Sequence, residues 1–263
     1  MFDLSAWLIA LAAVLVFGVL GWFWSLIRRD VSIVDSMWSL MFLITSVCYA
    51  AVIDEPGPRT WLVLILTGVW AVRLSIYISW RNWGEGEDYR YRQIRRNNSP
   101  AFEFKSLYIV FGLQAVLAWF ISLPLLAAIA SPREPGILDG IGAFVWLVGM
   151  TFETVGDLQL TRFKADPRNA GKVLQSGLWR LTRHPNYFGD FCVWWGFFLI
   201  ALSAGGWWAI VSPLLMSFLL LKVSGVALLE KDIGERRPGY ADYIARTNAF
   251  FPGPPKDGAS ASR

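Results

Sequence analysis

Seven apolar runs of roughly membrane-spanning length constrain the fold of this chain more than any other feature of its sequence. The runs cover residues 4–27, 33–53, 60–80, 107–130, 137–157, 187–203 and 207–229. With 55% hydrophobic residues and 15 Trp among 263 positions, the chain is too apolar for a soluble domain of its size. We therefore predict an all-α, polytopic integral membrane bundle of about seven transmembrane helices.

The placement of lysine and arginine predicts the orientation of these helices. If the N-terminus lies outside, the inward-facing segments hold twenty of the 24 Lys and Arg residues, and the outward loops hold only Arg59 and Arg133. This asymmetry is typical of the positive-inside rule and agrees with an odd number of spans. We predict a cytoplasmic C-terminus and a bacterial inner membrane. The basic balance then reflects topology and anionic ligands, and no nucleic-acid partner is expected.

The rest of the chain indicates one domain without common catalytic motifs. Residues 1–252 are predicted to form a single transmembrane domain, and the Pro/Gly/Ser-rich residues 253–263 a disordered tail. Cys48 and Cys192 are far apart in predicted helices and indicate neither a disulfide framework nor a metal site. With His184 as the only histidine, a histidine-rich iron centre is excluded. A serine-hydrolase elbow, a Rossmann glycine motif and a P-loop are also missing from the sequence.

One segment at the entrance of the sixth span carries an unusual set of polar side chains. Gly177–Asp190 reads G-L-W-R-L-T-R-H-P-N-Y-F-G-D and runs directly into an apolar, tryptophan-rich stretch. It brings together cations or near-cations, hydrogen-bonding groups and a carboxylate: Arg180, Arg183, His184, Asn186, Tyr187 and Asp190. A helix that only crosses lipid has no use for this set. It suits a polyanionic cofactor that carries an amide.

Ionisable residues inside the predicted spans form a second signal. Placing a charged side chain in the centre of a membrane helix costs about 2.5–3.5 kcal/mol of insertion free energy, so each such residue is expected to have a structural or functional role. The set comprises Asp35, Arg73, Glu153, Asp157, Asp190, Lys222 and Glu230. All are predicted in the cytoplasmic half, which favours one polar cavity open to the cytosol. The alternatives are interfacial charges at Asp157 and Glu230, a pair between Asp35 and Arg28 or Arg29, and snorkelling of Lys222 or Arg73.

The segment Gly177–Asp190, followed by W-W-G at 194–196, resembles the C-terminal signature of the steroid 5α-reductase family. That family is related to the sterol C14- and C7-reductases and, more distantly, to the isoprenylcysteine carboxyl methyltransferases. The resemblance covers mainly residues 150–252, including L-E-K-D-I-G-E-R-R-P-G-Y-A-D-Y and the F-F-P that follows. The pair Asn186 and Asp190 is typical of the reductases and usually missing from the methyltransferases.

The resemblance implies that NADPH lies in the cytoplasmic half of the bundle. Asn186 and Asp190 would then hold the nicotinamide carboxamide, while Asp157 and Lys164 would contact ribose and phosphate. Arg180, Arg183 and Lys172 become candidates for the phosphates, because guanidinium groups form strong charge-assisted hydrogen bonds with them. The further cofactor-binding candidates are Arg73, His184, Tyr187, Lys222, Glu230, Tyr240 and Tyr243.

The third span carries a weaker match and two departures from the family. R-L-S-I-Y-I-S-W-R-N-W-G, at 73–84, resembles the family motif that supplies Arg73 and Tyr77. Where the steroid enzymes have a catalytic tyrosine this chain has Trp70, and only Asp35 can stand for their catalytic glutamate. Asp35, Trp70 and Tyr77 are therefore the catalytic candidates. Both departures are at positions whose side chains would bind the substrate carbonyl in the steroid enzymes, so the substrate need not be a steroid.

The chemistry expected from this set is the reduction of an enone. Hydride goes to the β-carbon, and a donor stabilises the negative charge that develops on the carbonyl oxygen. Asp35 among apolar neighbours would be the acid, and Trp70 could donate a hydrogen bond but no proton. The expected function is NADPH-dependent reduction of a conjugated C=C in a hydrophobic, carbonyl-bearing lipid from the bilayer, steroid-like or another enone.

Two other functions stay open from the sequence. An S-adenosylmethionine-dependent methyltransferase of the isoprenylcysteine carboxyl type would share the same bundle. A transporter is less favoured, because its discontinuous helices with Gly/Pro breaks in symmetric halves are not seen in the sequence. A metal is expected in neither enzyme.

Overall fold

The computed structural model describes residues 2–53, 56–223 and 239–256, and all regular elements in these ranges are helical. The helices are α1 (Leu4–Arg28), α2 (Ile33–Ala51), α3 (Pro58–Arg81), α4 (Tyr89–Asn97), α5 (Phe102–Ser106), α6 (Leu113–Ile121), α7 (Leu123–Ile129), α8 (Ile137–Ala165), α9 (Pro185–Ser203), α10 (Val211–Phe218) and α11 (Tyr240–Arg246). Short π-helical segments join α5 to α6 (Leu107–Gly112) and extend α10 (Leu219–Val223).

Within the residues that the structure describes, five helical segments are long and apolar enough to cross a membrane, which supports an integral membrane protein. They are Leu4–Arg28, Ile33–Ala51, Pro58–Arg81, Phe102–Ile121 and Ile137–Ala165. The predicted sixth run coincides with α9, and the seventh begins with the shorter apolar segment Trp207–Val223. The number of seven spans and the orientation stay predictions.

Local signals explain where the first helices begin and end. The Asp3 side chain caps α1 by accepting a hydrogen bond from the Ala6 amide at 2.9 Å, and α1 ends at Arg29 in the left-handed conformation. Pro58 opens α3, where its missing N–H costs nothing because that position has no helical partner.

Contacts within the chain group its residues into two compact units, and the single domain stays a prediction. The first unit comprises the chain up to Asp139 together with residues 200–212. Within it Arg59, predicted in an outward loop, is instead buried in the first turn of α3 and donates to Asp139 at 2.8 Å. Its guanidinium also donates to the carbonyls of Arg133 and Glu134, so one cation fixes the segment before α8.

The second unit comprises residues 140–199 and those from 213 onward. Its helices α8 and α9 approach closely because glycines face each other at the contact. A Cβ on Gly149 would lie 2.5 Å from the Gly189 carbonyl oxygen, and a Cβ on Gly196 would lie 2.7 Å from the Gly142 oxygen. Gly142, Gly149 and Gly156 are seven residues apart, as are Gly189 and Gly196. This spacing keeps them on one helix face and brings the two backbones into contact.

The end of the described chain packs against the segment that leads into α9. The Arg183 amide donates to the Asn248 carbonyl at 2.9 Å, and the Thr182 hydroxyl donates to the Phe250 carbonyl at 2.8 Å. Gly253 and Lys256, placed by the sequence in the disordered tail, donate their amides to Leu181 and Arg246. These two hydrogen bonds attach the start of that segment to the second unit. Residues 257–263 lie outside the described ranges, and the disordered tail stays a prediction.

Candidate functional site

The candidate site in the second unit begins with a direct contact between two residues chosen from the sequence. Asn186, in the first turn of α9, donates its side-chain amide to the Asp157 carboxylate on α8 at 3.2 Å. Asp157 is only 4% exposed, so the amide partly compensates the cost of burying a carboxylate. This contact is possible because Gly156 leaves room: its Cβ would lie 3.3 Å from the Asn186 backbone nitrogen.

Two acidic residues, one on each helix, lie one helical turn further along α8 and α9. Glu153 on α8 is 3% exposed and sits against Gly189, whose added Cβ would lie 2.5 Å from the Glu153 backbone nitrogen. Asp190 follows Gly189 directly on α9. The glycine contact therefore places four polar residues along one helix–helix interface, and we call Glu153, Asp157, Asn186 and Asp190 the α8–α9 polar cluster.

The loop before α9 is held on α8 by its own polar contacts. The Trp179 indole N–H donates to the Gly156 carbonyl at 3.0 Å, and the Leu178 amide donates to the Gln159 side-chain oxygen at 3.0 Å. Further on, the ring of His184 stacks on that of Tyr187 with centroids 5.8 Å apart and planes 12° from parallel. His184 is 4% exposed. The structure thus brings His184, Tyr187 and Asn186 together at the start of α9.

Three predicted cofactor ligands also hold the polypeptide together. Arg183 donates through Nη1 to the carbonyl of Thr247 at 2.9 Å and to that of Ile244 at 3.4 Å. Tyr243 donates its hydroxyl to the Trp179 carbonyl at 2.5 Å, and its ring lies 5.7 Å from that of Tyr240. Tyr240 and Tyr243 are both buried. These contacts fix α11 and its C-terminal end. Contact with a cofactor stays a prediction for Arg183, Tyr240 and Tyr243.

The remaining cations of the predicted site are exposed. Lys164 lies in the last turn of α8, and Lys172 and Arg180 lie in the segment between α8 and α9. Lys222 is exposed in the π-helical segment after α10. Exposed cations on the same unit as the polar cluster are suited to phosphate groups. Glu230 lies outside the described residues.

Asp35 lies in the first unit, and its surroundings differ from the apolar ones predicted. Its carboxylate accepts a hydrogen bond from Arg90 at 2.7 Å and another from the Tyr91 hydroxyl at 2.5 Å. The partner is thus Arg90 rather than Arg28 or Arg29. The apolar residues near Asp35 in the sequence do not decide its surroundings, because α4 supplies polar partners from a distant part of the chain.

This pairing changes what Asp35 can do chemically. The Arg90 guanidinium favours the ionised carboxylate, whereas burial favours the neutral acid, so two opposing influences act on Asp35. Burial, together with the neighbouring Asp35, raises the pKa of Tyr91 above its usual range, so its phenol stays protonated. The Gln114 side-chain amide also donates to the Tyr91 hydroxyl, at 3.2 Å. A role for Asp35 as the acid stays a prediction.

The other catalytic candidates also lie in the first unit, on α3. Trp70 is fully buried, with its ring 5.7 Å from that of Phe42. The Arg73 guanidinium lies 5.3 Å from the centre of the Tyr77 ring, and Arg81 lies 5.6 Å from it. Arg73 and Tyr77 are therefore brought together as the motif implies.

Sequence reasoning missed two features of these sites. The first is the glycine contact, although the seven-residue spacing of Gly142, Gly149 and Gly156 is readable in the sequence. The second is the pairing of Arg90 and Tyr91 with Asp35. That contact joins residues about 55 positions apart, and no local pattern reports it.

Comparison with known protein families gives a match over most of this chain. Residues 21–247 match the family described as "Protein of unknown function (DUF1295)". An uncharacterized protein of Schizosaccharomyces pombe is 23% identical over 289 residues, covering 95% of this chain and 81% of that protein.

A second relative is similar over a much shorter stretch. The protein named "Probable O-methyltransferase ustE" of Ustilaginoidea virens is 38% identical over 65 residues, which are 25% of this chain and 22% of that protein. No solved structure matches the chain. Because the family match covers most of its length, the chain belongs to the DUF1295 family, which is related to the steroid 5-alpha-reductase-like superfamily.

Proposed function

We propose that this protein is an NADPH-dependent membrane reductase that transfers hydride to a conjugated C=C bond of a hydrophobic, carbonyl-bearing lipid. The observation that carries the proposal is the hydrogen bond from Asn186 to the buried Asp157 carboxylate, within the α8–α9 polar cluster. An amide and carboxylates in one apolar interface offer both donors and acceptors. A nicotinamide carboxamide and a ribose require that combination.

The residues of the second unit fit the parts of such a cofactor. Asn186 can both accept from and donate to a carboxamide, and Asp190 can accept from its NH₂. Asp157 can accept from ribose hydroxyls, and Lys164, Arg180 and Lys172 offer exposed cations for phosphates. NADPH, when bound, would supply the hydride. The protein would supply orientation, cations and an apolar setting that keeps water from the reacting atoms.

The proposal does not depend on Asp35 as the acid. In the first unit Asp35 fixes the Tyr91 hydroxyl and the Arg90 guanidinium, and both groups are hydrogen-bond donors of the kind that stabilise a developing oxyanion. The position of the substrate carbonyl would decide whether Tyr91 or Arg90 donates the hydrogen bond to its oxygen.

The experiment follows the absorbance of reduced nicotinamide while the protein in mixed micelles receives a 3-oxo-Δ4 steroid. We expect NADPH to be consumed with this enone but not with the matching saturated 3-oxo steroid, since only the enone offers a conjugated C=C. Equal NADPH consumption with both compounds would point to carbonyl reduction and contradict the proposed reaction. An enone that gives no turnover excludes that substrate, so a bilayer-soluble non-steroid enone is assayed in parallel.

A second candidate is an S-adenosylmethionine-dependent methyltransferase. It is favoured by the short likeness to a protein whose name describes an O-methyltransferase. Transfer of a radiolabelled methyl group from S-adenosylmethionine to a prenylated thiol or a lipid carboxylate, with no saturable NADPH binding, would select this alternative over the reductase.

A further inference from the structure

A cavity of about 230 Å³ lies at the C-terminal end of α1, outside the sites described above. Its lining comes from the last turns of α1, from α4 and from α5, and includes Ser25, Arg29, Arg95, Glu103 and Ser106. It belongs entirely to the first unit. A water molecule occupies about 30 Å³ in the liquid, so the cavity has room for a group larger than a single small ion.

The walls of this cavity are held in place by contacts that do not fill it. The Trp22 indole N–H donates to the Glu103 backbone carbonyl at 2.7 Å and ties α5 to α1. Arg95 donates to Glu87 through Nε at 3.0 Å and through Nη2 at 2.8 Å, which fixes α4 at the rim. Burial raises the pKa of Glu87, but the hydrogen bonds from Arg95 and from the Val31 amide, together with the Arg95 charge, outweigh this effect, so the net pKa lies below its usual value.

The charges around the cavity are mixed. Arg29 follows α1 directly with an exposed guanidinium, and Arg95 donates through Nη1 to Glu103 at 3.0 Å. The Glu103 side chain is 58% exposed, and surface ion pairs of this kind contribute about 0–1 kcal/mol, so a ligand can compete for it. Two guanidiniums suit a phosphate diester, and a neighbouring exposed carboxylate suits an ammonium group.

The surface next to the cavity is strongly apolar. Ile27 is 74% exposed, Phe104 is 71% exposed, and Phe23 and Trp24 are about half exposed. In a chain that crosses the membrane these side chains belong beside acyl chains and at the headgroup level. A ligand placed here therefore has its polar part in the cavity and its apolar part along α1. This arrangement selects a lipid over free phosphate.

We propose that this cavity binds the headgroup of an amine-bearing glycerophospholipid. The phosphate diester lies between the guanidiniums of Arg29 and Arg95, the amine pairs with Glu103, and the acyl chains run along Phe23 and Ile27. The site is independent of the proposed reductase activity.

Native mass spectrometry tests this site on the full-length protein released from detergent in the presence of phosphatidylethanolamine, phosphatidylglycerol or neither. We expect wild type to retain phosphatidylethanolamine over phosphatidylglycerol. Arg29→Gln should lower retention of both lipids about tenfold. Glu103→Gln, which can still accept from Arg95, should remove the preference for the amine lipid. Arg28→Gln is the matched control, since Arg28 does not line the cavity, and it should bind as wild type does.

Three results would overturn the proposal. They are equal lipid retention by Arg29→Gln and Arg28→Gln, a preference of wild type for phosphatidylglycerol, and loss of the bound lipid when millimolar sodium phosphate is added. The last result would show that a free anion satisfies the site without acyl chains. Intrinsic tryptophan fluorescence on heating confirms that each variant is folded before its lipid binding is compared.

Discussion

Gly189→Ala is expected to lower the apparent melting temperature of the protein by about 4–10 °C in detergent micelles. The added Cβ would lie 2.5 Å from the Glu153 backbone nitrogen and 2.5 Å from the Gly149 carbonyl oxygen. Backbone atoms in two helices cannot rotate away as a flexible side chain can, so α8 and α9 must separate. Overpacking of this kind costs about 1–3 kcal/mol, which corresponds to a shift of a few degrees for each kcal/mol.

Gly140→Ala is the matched control for this substitution. Gly140 lies on α8 as well, but a Cβ there meets no atom within 4 Å. Alanine is favoured over glycine in a helix interior by about 1 kcal/mol, so the melting temperature should stay the same or rise. Thermal unfolding followed by tryptophan fluorescence measures both variants. A wild-type melting temperature for Gly189→Ala, or an equal loss in both, would show that the two helices do not meet at these glycines.

The second large effect is expected from Asn186→Ala on cofactor affinity. Asn186 is the hydrogen-bond donor to the buried Asp157 carboxylate, and it is also the residue assigned to the carboxamide of NADPH. Hydrogen bonds to charged groups contribute about 1.5–3 kcal/mol, so the dissociation constant for NADPH should rise about tenfold to a hundredfold. The fluorescence of reduced nicotinamide, titrated against protein, gives this constant directly.

Asn97→Ala provides the comparison for this variant, because it makes the same chemical change at an exposed position of α4. It should bind NADPH with the wild-type constant. If Asn186→Ala binds as tightly as Asn97→Ala, the polar cluster does not contact the cofactor.

Much of the membrane architecture is readable from the sequence because it follows from local hydropathy. The predicted runs at 4–27, 33–53 and 60–80 fall on α1, α2 and α3 with small shifts at their ends. The fifth run was predicted to end at residue 157, but α8 continues to Ala165. Its last two turns mix polar and apolar side chains, and a helix that leaves the apolar layer keeps its backbone hydrogen bonds without needing a continuous apolar run.

Contacts between distant segments could be predicted only in part. The second unit carries two signals that the sequence shows. Glycines in apolar helices indicate a close helix–helix contact, and carboxylates in apolar helices indicate a functional site. Asp35 shows where this fails. Its apolar neighbours in the sequence indicate a desolvated acid, yet the decisive partners, Arg90 and Tyr91, come from α4. Only the tertiary structure reveals that pairing.

The most direct measurement for the central claim is saturation binding of NADPH to the purified protein and to Asp190→Ala, each followed by the fluorescence of reduced nicotinamide. Asp190 lies in the α8–α9 polar cluster and is assigned to the carboxamide NH₂. We expect saturable binding to the wild type and a loss of at least tenfold in affinity for Asp190→Ala, with little change for a ribose phosphate fragment that has no nicotinamide. Binding that does not saturate, or an unchanged constant in the variant, would contradict the assignment of this cluster to a nicotinamide cofactor.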